Sequence, residues 1–207
     1  MKKWTTLAAI ALVGAGATIL TLRAPNTAIA KTTASAPAVA FGKRVAPLQL
    51  RDTAGKPVTV GGWNKSKATV LMFVATKCPV SNNYNGRMAS LQNAYAPKGV
   101  RFIGINSNKA EPGTEVASHA KENGLNFAIY KDPQNKIADR FGAKVTPEVY
   151  VVGPQGDLLY KGRIDNSQNL SEVNEKSLQG ALNAILAKKP VAEKETRAFG
   201  CSIKREG

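Results

Sequence analysis

Apolar side chains recur along the chain with two different periods, which predict alternating strands and helices. ATVLMFVAT, residues 68–76, is almost continuously apolar, as expected of a central strand that is buried on both faces. VRFIGI, residues 100–105, is a second run of this kind. Between the two runs, large side chains at intervals of four, three and four residues mark one face of a helix: Tyr84, Met88, Leu91 and Tyr95. The pattern predicts two parallel strands joined by a right-handed crossover helix.

Weaker patterns extend this unit in both directions. Two hairpins are predicted, an opening one from residues 47–50 and 56–60 and a second one from residues 145–152 and 158–164. Between them, the pattern predicts a short helix over residues 112–124, a strand over 127–130 and a helical turn over 137–141. A final helix is predicted over residues 178–185. This order predicts an α/β fold with a mixed central sheet flanked by helices. The domain is expected to span residues 45–188, and a tail over residues 189–207 follows because Pro190 stops the final helix.

The first 30 residues have the composition of a secretory signal. Two lysines at positions 2 and 3 precede an Ala-rich apolar segment, residues 7–22, and AIA at residues 28–30 supplies a small-x-small cleavage site. We therefore expect cleavage after Ala30 and a periplasmic or secreted protein, with a flexible leader over residues 31–44. An uncleaved membrane anchor is the alternative, although the apolar segment is short for a span.

The charge of the chain is strongly basic, with 29 Lys and Arg against 14 Asp and Glu. Residues 1–30 contain three of the bases and no acid, so their removal leaves 26 bases against 14 acids, a net charge of +12. Such a charge favours contact with anionic surfaces, including lipid headgroups at a membrane surface and acidic partners. No Lys/Arg run is interleaved with aromatics, so nucleic acid is not an expected partner.

Cys78 lies where the first buried strand gives way to the crossover helix. Pro79 suits the first helical position because its missing N–H would be unpaired there in any case. The free N–H groups and the dipole of a helix start favour a thiolate and lower the pKa of a cysteine. Lys77 adds a positive charge nearby, and the Ser81 hydroxyl lies one turn away, where it can donate to sulfur. A nucleophilic cysteine is predicted; a small buried thiol is the alternative.

FVATKCPVS, residues 73–81, resembles the active-site segment of the thioredoxin superfamily. In that segment, Phe-x-Ala-Thr-x-Cys-x-x-Cys joins a central strand to a helix. Thr76, Cys78 and Pro79 fall in this pattern, and Ser81 replaces the second cysteine. The resemblance implies a thioredoxin-like fold with Cys78 as the redox nucleophile.

VTPEVY, residues 145–150, resembles the second hallmark of that superfamily, a cis-proline that packs against the active cysteine and shapes the substrate groove. The resemblance implies a cis bond between Thr146 and Pro147 close to Cys78. Glu148 follows this proline and is expected near the sulfur. It is interpreted either as a proton shuttle for the leaving thiolate or as a solvated strand residue.

Five segments in order, CPVSNNY, TPEVYVV, YKGRIDN, AKKPV and TRAFGCSIK, resemble exported bacterial redoxins of the alkyl hydroperoxide reductase/thiol-specific antioxidant (peroxiredoxin-like) family. The resemblance covers about residues 45–204. The peroxiredoxin signature has Thr or Ser three residues before the cysteine and Pro seven before, where this chain has Ala75 and Leu71. It also has an arginine near the Thr-Pro position, for which Arg140 and Arg163 are the candidate replacements here.

Cys201 is the only other cysteine. About a dozen residues separate it from Pro190, and an extended tail of that length reaches roughly 35–40 Å, comparable to the width of a small domain. Phe199 and Ile203 would give the tail an apolar foothold. We expect Cys201 to resolve a sulfenic acid or mixed disulfide on Cys78. A permanent disulfide and an idle tail thiol are the alternatives.

The single histidine, His119, is predicted to lie in the middle of a helix and is interpreted as a surface residue rather than a metal ligand. The sequence thus predicts an exported thiol oxidoreductase and antioxidant that acts on a protein disulfide or a peroxide. An external thiol would reduce it, and no bound cofactor or metal is expected. The alternative is a non-catalytic binding module of the same fold, or a metallochaperone.

Overall fold

The computed structural model describes Met1 and residues 39–206, so residues 2–30 of the predicted signal and residues 31–38 of the leader lie outside the described residues. Seven strands form one sheet in the order β2-β1-β5-β4-β3-β7-β8, and β6 pairs with β9 separately. The strands are β1 Leu48–Arg51, β2 Pro57–Val60, β3 Ala68–Phe73, β4 Val100–Asn106, β5 Ala128–Lys131, β6 Val145–Thr146, β7 Glu148–Val152, β8 Leu158–Gly162 and β9 Cys201–Ser202.

The helices follow the predicted order between these strands. They are α1 Pro79–Asn83, α2 Asn85–Tyr95, α3 Gly113–Glu122, α4 Lys136–Phe141 and α5 Ser177–Leu186. β3 pairs in parallel with β4, and β4 with β5, whereas β3–β7, β7–β8, β1–β2 and β1–β5 are antiparallel. The predicted α/β fold with a mixed sheet flanked by helices is therefore confirmed.

β3 lies at the centre of the sheet and is buried along its whole length. Successive side chains of a strand point to opposite faces, so β3 contributes to two cores. Val70 and Met72 pack in the cluster that includes residues of α2, α3 and α5. Leu71 and Phe73 pack in the other cluster, with residues of the opening hairpin and α4. Burial on both faces explains why this segment is apolar without alternation.

Two boundaries differ from the sequence-based expectation. The crossover helix is interrupted at Tyr84, so Cys78 precedes a helix of only five residues. Val145 and Thr146, expected in the second hairpin, instead pair with Ser202 and Cys201 of the tail. The separate β6 exists because the chain turns at Pro147, which has no N–H for a continuous strand ladder.

The two segments expected outside the domain pack against it where they are described. In the leader, Phe41 forms a bridge with Leu158 and Arg44 one with Asp157. In the tail, Ile203 is buried in the same core cluster as Phe73. None of the helices in the described part of the chain combines the length and apolar character that a bilayer crossing requires.

A matched pair of leucines tests the buried position of β3. Leu71 is 0% exposed and Leu170 is 70% exposed. We expect Leu71→Ala to lower the free energy of unfolding by about 2–5 kcal/mol, because it removes packed methyl groups and leaves a cavity. Leu170→Ala is expected to change it by less than about 0.5 kcal/mol. Guanidinium titrations of both variants measure the difference, and equal losses would contradict this core assignment.

Candidate active site around Cys78 and Cys201

Cys78 begins α1 as its N-cap residue, with Pro79 at the first helical position as predicted. Its backbone carbonyl accepts a hydrogen bond from Asn82 N at 3.0 Å. Its sulfur accepts one from the backbone N–H of Ser81, with N and Sγ 3.3 Å apart. A side-chain acceptor at this position pairs an N–H that the helix itself leaves free. The sulfur thus takes the place of the hydroxyl or carboxylate that usually caps a helix.

Cys78 and Cys201 form a disulfide that joins positions 123 residues apart, with their Cα atoms 5.9 Å from each other. Cys201 is the register partner of Thr146 in the β6–β9 pair. The peptide bond from Thr146 to Pro147 is cis, as the resemblance implied. Cys78 Sγ lies 3.4 Å from the Thr146 carbonyl oxygen. The two cysteines and the cis-proline segment therefore form one site.

The tail approaches the site through a position that only glycine fits. Gly200 has φ +155°, and a Cβ there would collide with the carbonyl oxygen of Thr146. On either side, the Phe199 ring stacks edge-on against Tyr84 with centroids 6.2 Å apart, and Ile203 N donates to Lys144 O at 2.9 Å. Cys201 is thus held by contacts that do not involve its sulfur.

A buried carboxylate that the sequence analysis missed fixes the loop before Cys78. Glu111 Oε2 accepts from Thr76 N at 2.9 Å and Asn106 Nδ2 at 2.5 Å, and Oε1 accepts from Lys77 N and Asn108 Nδ2, both at 3.1 Å. Four donors on one carboxylate satisfy buried groups that would otherwise be unpaired. The only sequence signal is an acid directly before Pro112, which does not distinguish a buried from a solvated glutamate.

A lysine completes this polar cluster from β5. Lys131 Nζ donates to Asn106 Oδ1 at 2.5 Å, Asn108 O at 2.9 Å and Glu111 O at 2.5 Å. Burial lowers the pKa of Lys131, and the nearby Glu111 carboxylate opposes that shift. The lysine therefore ties the ends of β4 and β5 to the loop that carries the glutamate.

Thr76 and Lys77 act on the loop rather than on the sulfur. The Thr76 hydroxyl donates to Glu115 Oε1, and Lys77 Nζ lies 3.0 Å from Glu115 Oε2. These two contacts lower the pKa of Glu115, that from Thr76 most. Lys77 was expected to act as a positive charge near the sulfur of Cys78. Its ammonium instead pairs with the Glu115 carboxylate and donates to Ala110 O at 2.8 Å.

Ser81 and Glu148 are also placed differently from expectation. The Ser81 hydroxyl oxygen accepts from Ala75 N at 3.2 Å, and it is the Ser81 backbone N–H that donates to the sulfur of Cys78. Glu148 Oε2 accepts from Lys144 N at 2.8 Å, and Oε1 accepts from the Tyr150 hydroxyl at 2.8 Å. Glu148 thus holds the turn before the cis-proline. Burial and this carboxylate raise the pKa of Tyr150.

His119 is half-buried rather than fully solvated, with Nε2 3.0 Å from Asn82 Oδ1 and 3.4 Å from Asn85 Nδ2. Within the described residues, no three His, Cys, Asp or Glu side chains are grouped so that they could hold a metal ion.

The start of α2 is braced by a second buried charge that the sequence analysis did not identify. Arg87 contacts both carboxylate oxygens of Asp165, at 2.8 and 2.9 Å, and its guanidinium carbon lies 4.3 Å from the centre of the Tyr84 ring. The Tyr84 hydroxyl donates to Asp165 Oδ1 at 2.6 Å, and burial and this carboxylate raise its pKa. Because Tyr84 also contacts Phe199, the brace supports the tail next to Cys201.

Glu111→Gln tests the four hydrogen bonds that the buried Glu111 carboxylate accepts. An amide has one acceptor oxygen, so two of the four donors would face an NH2 group, and leaving buried donors unpaired costs about 1–3 kcal/mol. We expect a loss of unfolding free energy of this size in guanidinium titrations. Glu122→Gln, on the exposed surface of α3, is the control and should leave stability unchanged. Equal effects of the two substitutions would refute the proposed importance of Glu111.

Among proteins of known structure, two that resemble this chain over most of its length have the following similarity. An uncharacterized conserved protein from Geobacillus kaustophilus is 32% identical, with a TM-score of 0.74 over 82% of this chain and 94% of that chain. A hypothetical protein from Sinorhizobium meliloti 1021 is 28% identical, with a TM-score of 0.75 over 82% of this chain and 97% of that chain. No curated protein matches.

More distant similarity identifies the fold and a family model identifies the family. Peroxidoxin BcpB from Mycobacterium tuberculosis is 20% identical, with a TM-score of 0.58 over 72% of this chain and 97% of that chain, and shares the thioredoxin-like fold. Residues 41–161 match the model of the AhpC/TSA family, which is more than half of the chain. The chain therefore belongs to the AhpC/TSA family, as a redoxin of the thioredoxin superfamily.

Proposed function

We propose that this redoxin is a thiol–disulfide oxidoreductase that cycles Cys78 and Cys201 between a dithiol and an intramolecular disulfide. The observation that carries the proposal is the bridge itself, formed next to a cis-proline between a helix-capping cysteine and a strand of the tail. Each cycle passes two electrons between this pair and a partner disulfide or thiol. The pair needs no bound cofactor for this exchange.

The surrounding residues support such a cycle. The Ser81 N–H favours the thiolate of Cys78 when the bridge opens, because it already donates to that sulfur. Thr76 and Lys77 hold the loop through Glu111 and Glu115, and so they position Cys78. Thr146 and Pro147 form the wall beside the sulfur, and Glu148 keeps their turn closed.

Peroxide reduction is the second candidate, favoured by the AhpC/TSA family itself and by the burial of Cys78 at 4% exposure, which suits a small oxidant. A Cys78 thiolate would take one peroxide oxygen to form a sulfenic acid, and the other oxygen would leave as water or an alcohol. The Cys201 thiol would then close the bridge and release water. The candidate replacement arginines are engaged elsewhere, since Arg140 donates to Ala46 O and Arg163 to Glu175. We therefore rank peroxide second.

Export completes the proposal, because a stable disulfide is expected in an oxidising compartment. The signal-like composition of residues 1–30 supports it. The protein recovered from a bacterial periplasm is expected to begin at Lys31, as measured by intact mass. Recovery of the uncut chain in the membrane fraction would instead favour an N-terminal anchor.

Single-cysteine variants test the cycle. The oxidised protein is expected to oxidise a dithiol peptide, and Cys78→Ser or Cys201→Ser should each lower that rate at least about 100-fold because neither can form the bridge. Thiol loss of the peptide gives the rate, and Ser202→Ala is the control. Peptide oxidation that is no faster with the unsubstituted protein than with either cysteine variant would favour a non-catalytic binding module.

The preferred oxidant is identified with the protein in its fully reduced, dithiol form. Glutathione disulfide and hydrogen peroxide are offered separately at equal concentration, and the bridge is followed by intact mass after alkylation. Faster closure by the disulfide supports exchange as the main activity. Faster closure of the bridge by hydrogen peroxide would make peroxide reduction the better-supported activity.

A further inference from the structure

An open cavity of about 920 Å³ lies at the end of the sheet where β3 begins. It is surrounded by the residues before β3 and β4, the turn before β8 and the segment that follows α5. Its lining carries five lysines and one acidic residue: Lys65, Lys67, Lys188, Lys189, Lys194 and Asp157. We infer that these five lysines, called the lysine rim below, dock the domain onto a membrane surface that carries anionic lipid headgroups.

The charge of the lysine rim is not balanced within the domain. All five lysines are exposed, and within residues 39–206 none of them lies within ion-pairing distance of a carboxylate. Five lysines against Asp157 leave a net charge of +4 on the lining. The Asp157 Oδ1 atom is enclosed, without a hydrogen-bond partner in the described part of the chain. An unbalanced charge at one end of a domain attracts anionic headgroups.

The backbone holds these lysines in fixed turns. Lys188 and Lys189 donate their backbone N–H groups to carbonyls in the last turn of α5, at 3.0 and 2.8 Å, which closes the end of that helix. Lys188 has φ +56°, a left-handed conformation in which glycine is the usual residue. Lys67 N donates to Gly99 O at 2.8 Å and fixes the turn before β3. The lysines are therefore presented together, and their backbone does not have to become ordered on binding.

The form of the cavity suits a surface of many headgroups rather than one small anion. A site for a single phosphate brings several donors to one point, whereas these lysines are exposed around a wide opening. Between them the lining includes apolar side chains, namely Leu159, Ile185, Leu186 and Val191. Lysine stems lie along apolar surface while their ammonium groups stay in the polar layer. Binding at a lipid interface combines these two terms, buried apolar area and attraction to anionic lipids.

Docking through the lysine rim orients the disulfide away from the bilayer. Lys67 directly precedes β3, and Cys78 follows the other end of that strand. A strand of six residues spans about 20 Å, at about 3.3 Å per residue. The Debye length at physiological salt is about 8 Å, so the charge of the bilayer is largely screened at that distance. The cysteine pair then faces the aqueous compartment and the partners in it.

Vesicle binding tests the inference. The protein recovered from a bacterial periplasm is mixed at low salt with vesicles of one part phosphatidylglycerol and two parts phosphatidylcholine, and the bound fraction is measured by sedimentation. Substituting Lys67→Gln, Lys188→Gln and Lys189→Gln together should lower the partition coefficient about 100-fold, because each lysine near an anionic surface contributes about fivefold. Absence of binding by the unsubstituted protein would overturn the inference.

A second triple variant controls for net charge. Lys56→Gln, Lys109→Gln and Lys136→Gln together remove the same charge from exposed lysines at the other end of the sheet, where β4 and β5 finish. This variant should lower the partition coefficient by less than about fivefold, because these lysines lie beyond the Debye length from the docked surface. Equal losses in the two variants would show binding through the overall charge and would refute the lysine rim. Both variants should oxidise the dithiol peptide at the unsubstituted rate, so the inference can fail while the redox cycle stands.

Two anion sources are separated by the same assay. Sodium chloride at about 1 M shortens the Debye length to about 3 Å and should release the protein from the vesicles. Inorganic phosphate should release no more protein than sodium chloride of equal ionic strength. A larger release by phosphate would identify a site for a soluble phosphate anion and would overturn the docking surface. Equal binding of all three proteins to pure phosphatidylcholine would also overturn it, because that binding would come from the apolar N-terminal segment.

Discussion

Pairing of a two-residue strand of the tail with the two residues before Pro147 is the contact on which the site depends. It places Cys201 opposite Thr146 and so beside the sulfur of Cys78. Many thiol oxidoreductases take both cysteines from one turn of helix. Here Ser81 occupies the second position of that turn, and a strand 123 residues further along the chain supplies the missing sulfur. The disulfide pair is therefore a property of the tertiary structure and not of a local motif.

Such a pair ties the stability of the domain to its redox state. In the chain-entropy description, a crosslink that closes a loop of this length stabilises the folded state by about 5 kcal/mol. Opening the bridge removes that contribution. The buried Ile203, the stacked Phe199 and the ion pair between Arg205 and Asp139 do not involve the two sulfurs. We therefore expect these contacts to keep the tail packed when its covalent link is lost.

The sequence contains enough information for the sheet and for the first cysteine. β3 and α2 were predictable because the residues of each share one environment, full burial or one helical face, which leaves a periodic pattern. The cis bond before Pro147 was predictable only through resemblance, since local sequence rarely specifies a cis peptide. The position of β9 had no such signal, because two residues are too few to show a period.

The polar contacts of the site were the least predictable part. A glutamate among polar loop residues looks the same whether it is solvated or, like Glu111, buried under four donors. The direction of a long side chain is equally open, so Lys77 was expected at the sulfur but pairs with Glu115. Both outcomes depend on where α3 packs, which is a long-range property that neighbouring residues do not encode.

The distance between the two cysteines along the chain also sets the order in which they appear during synthesis. At the usual rate of 5–20 residues per second, Cys201 is made roughly 6–25 s after Cys78. Throughout that interval the nascent chain carries an unpaired thiol and lacks the strand that covers it. The bridge cannot close before the tail is made, so the disulfide distinguishes chains that contain Cys201 from chains that stop before it.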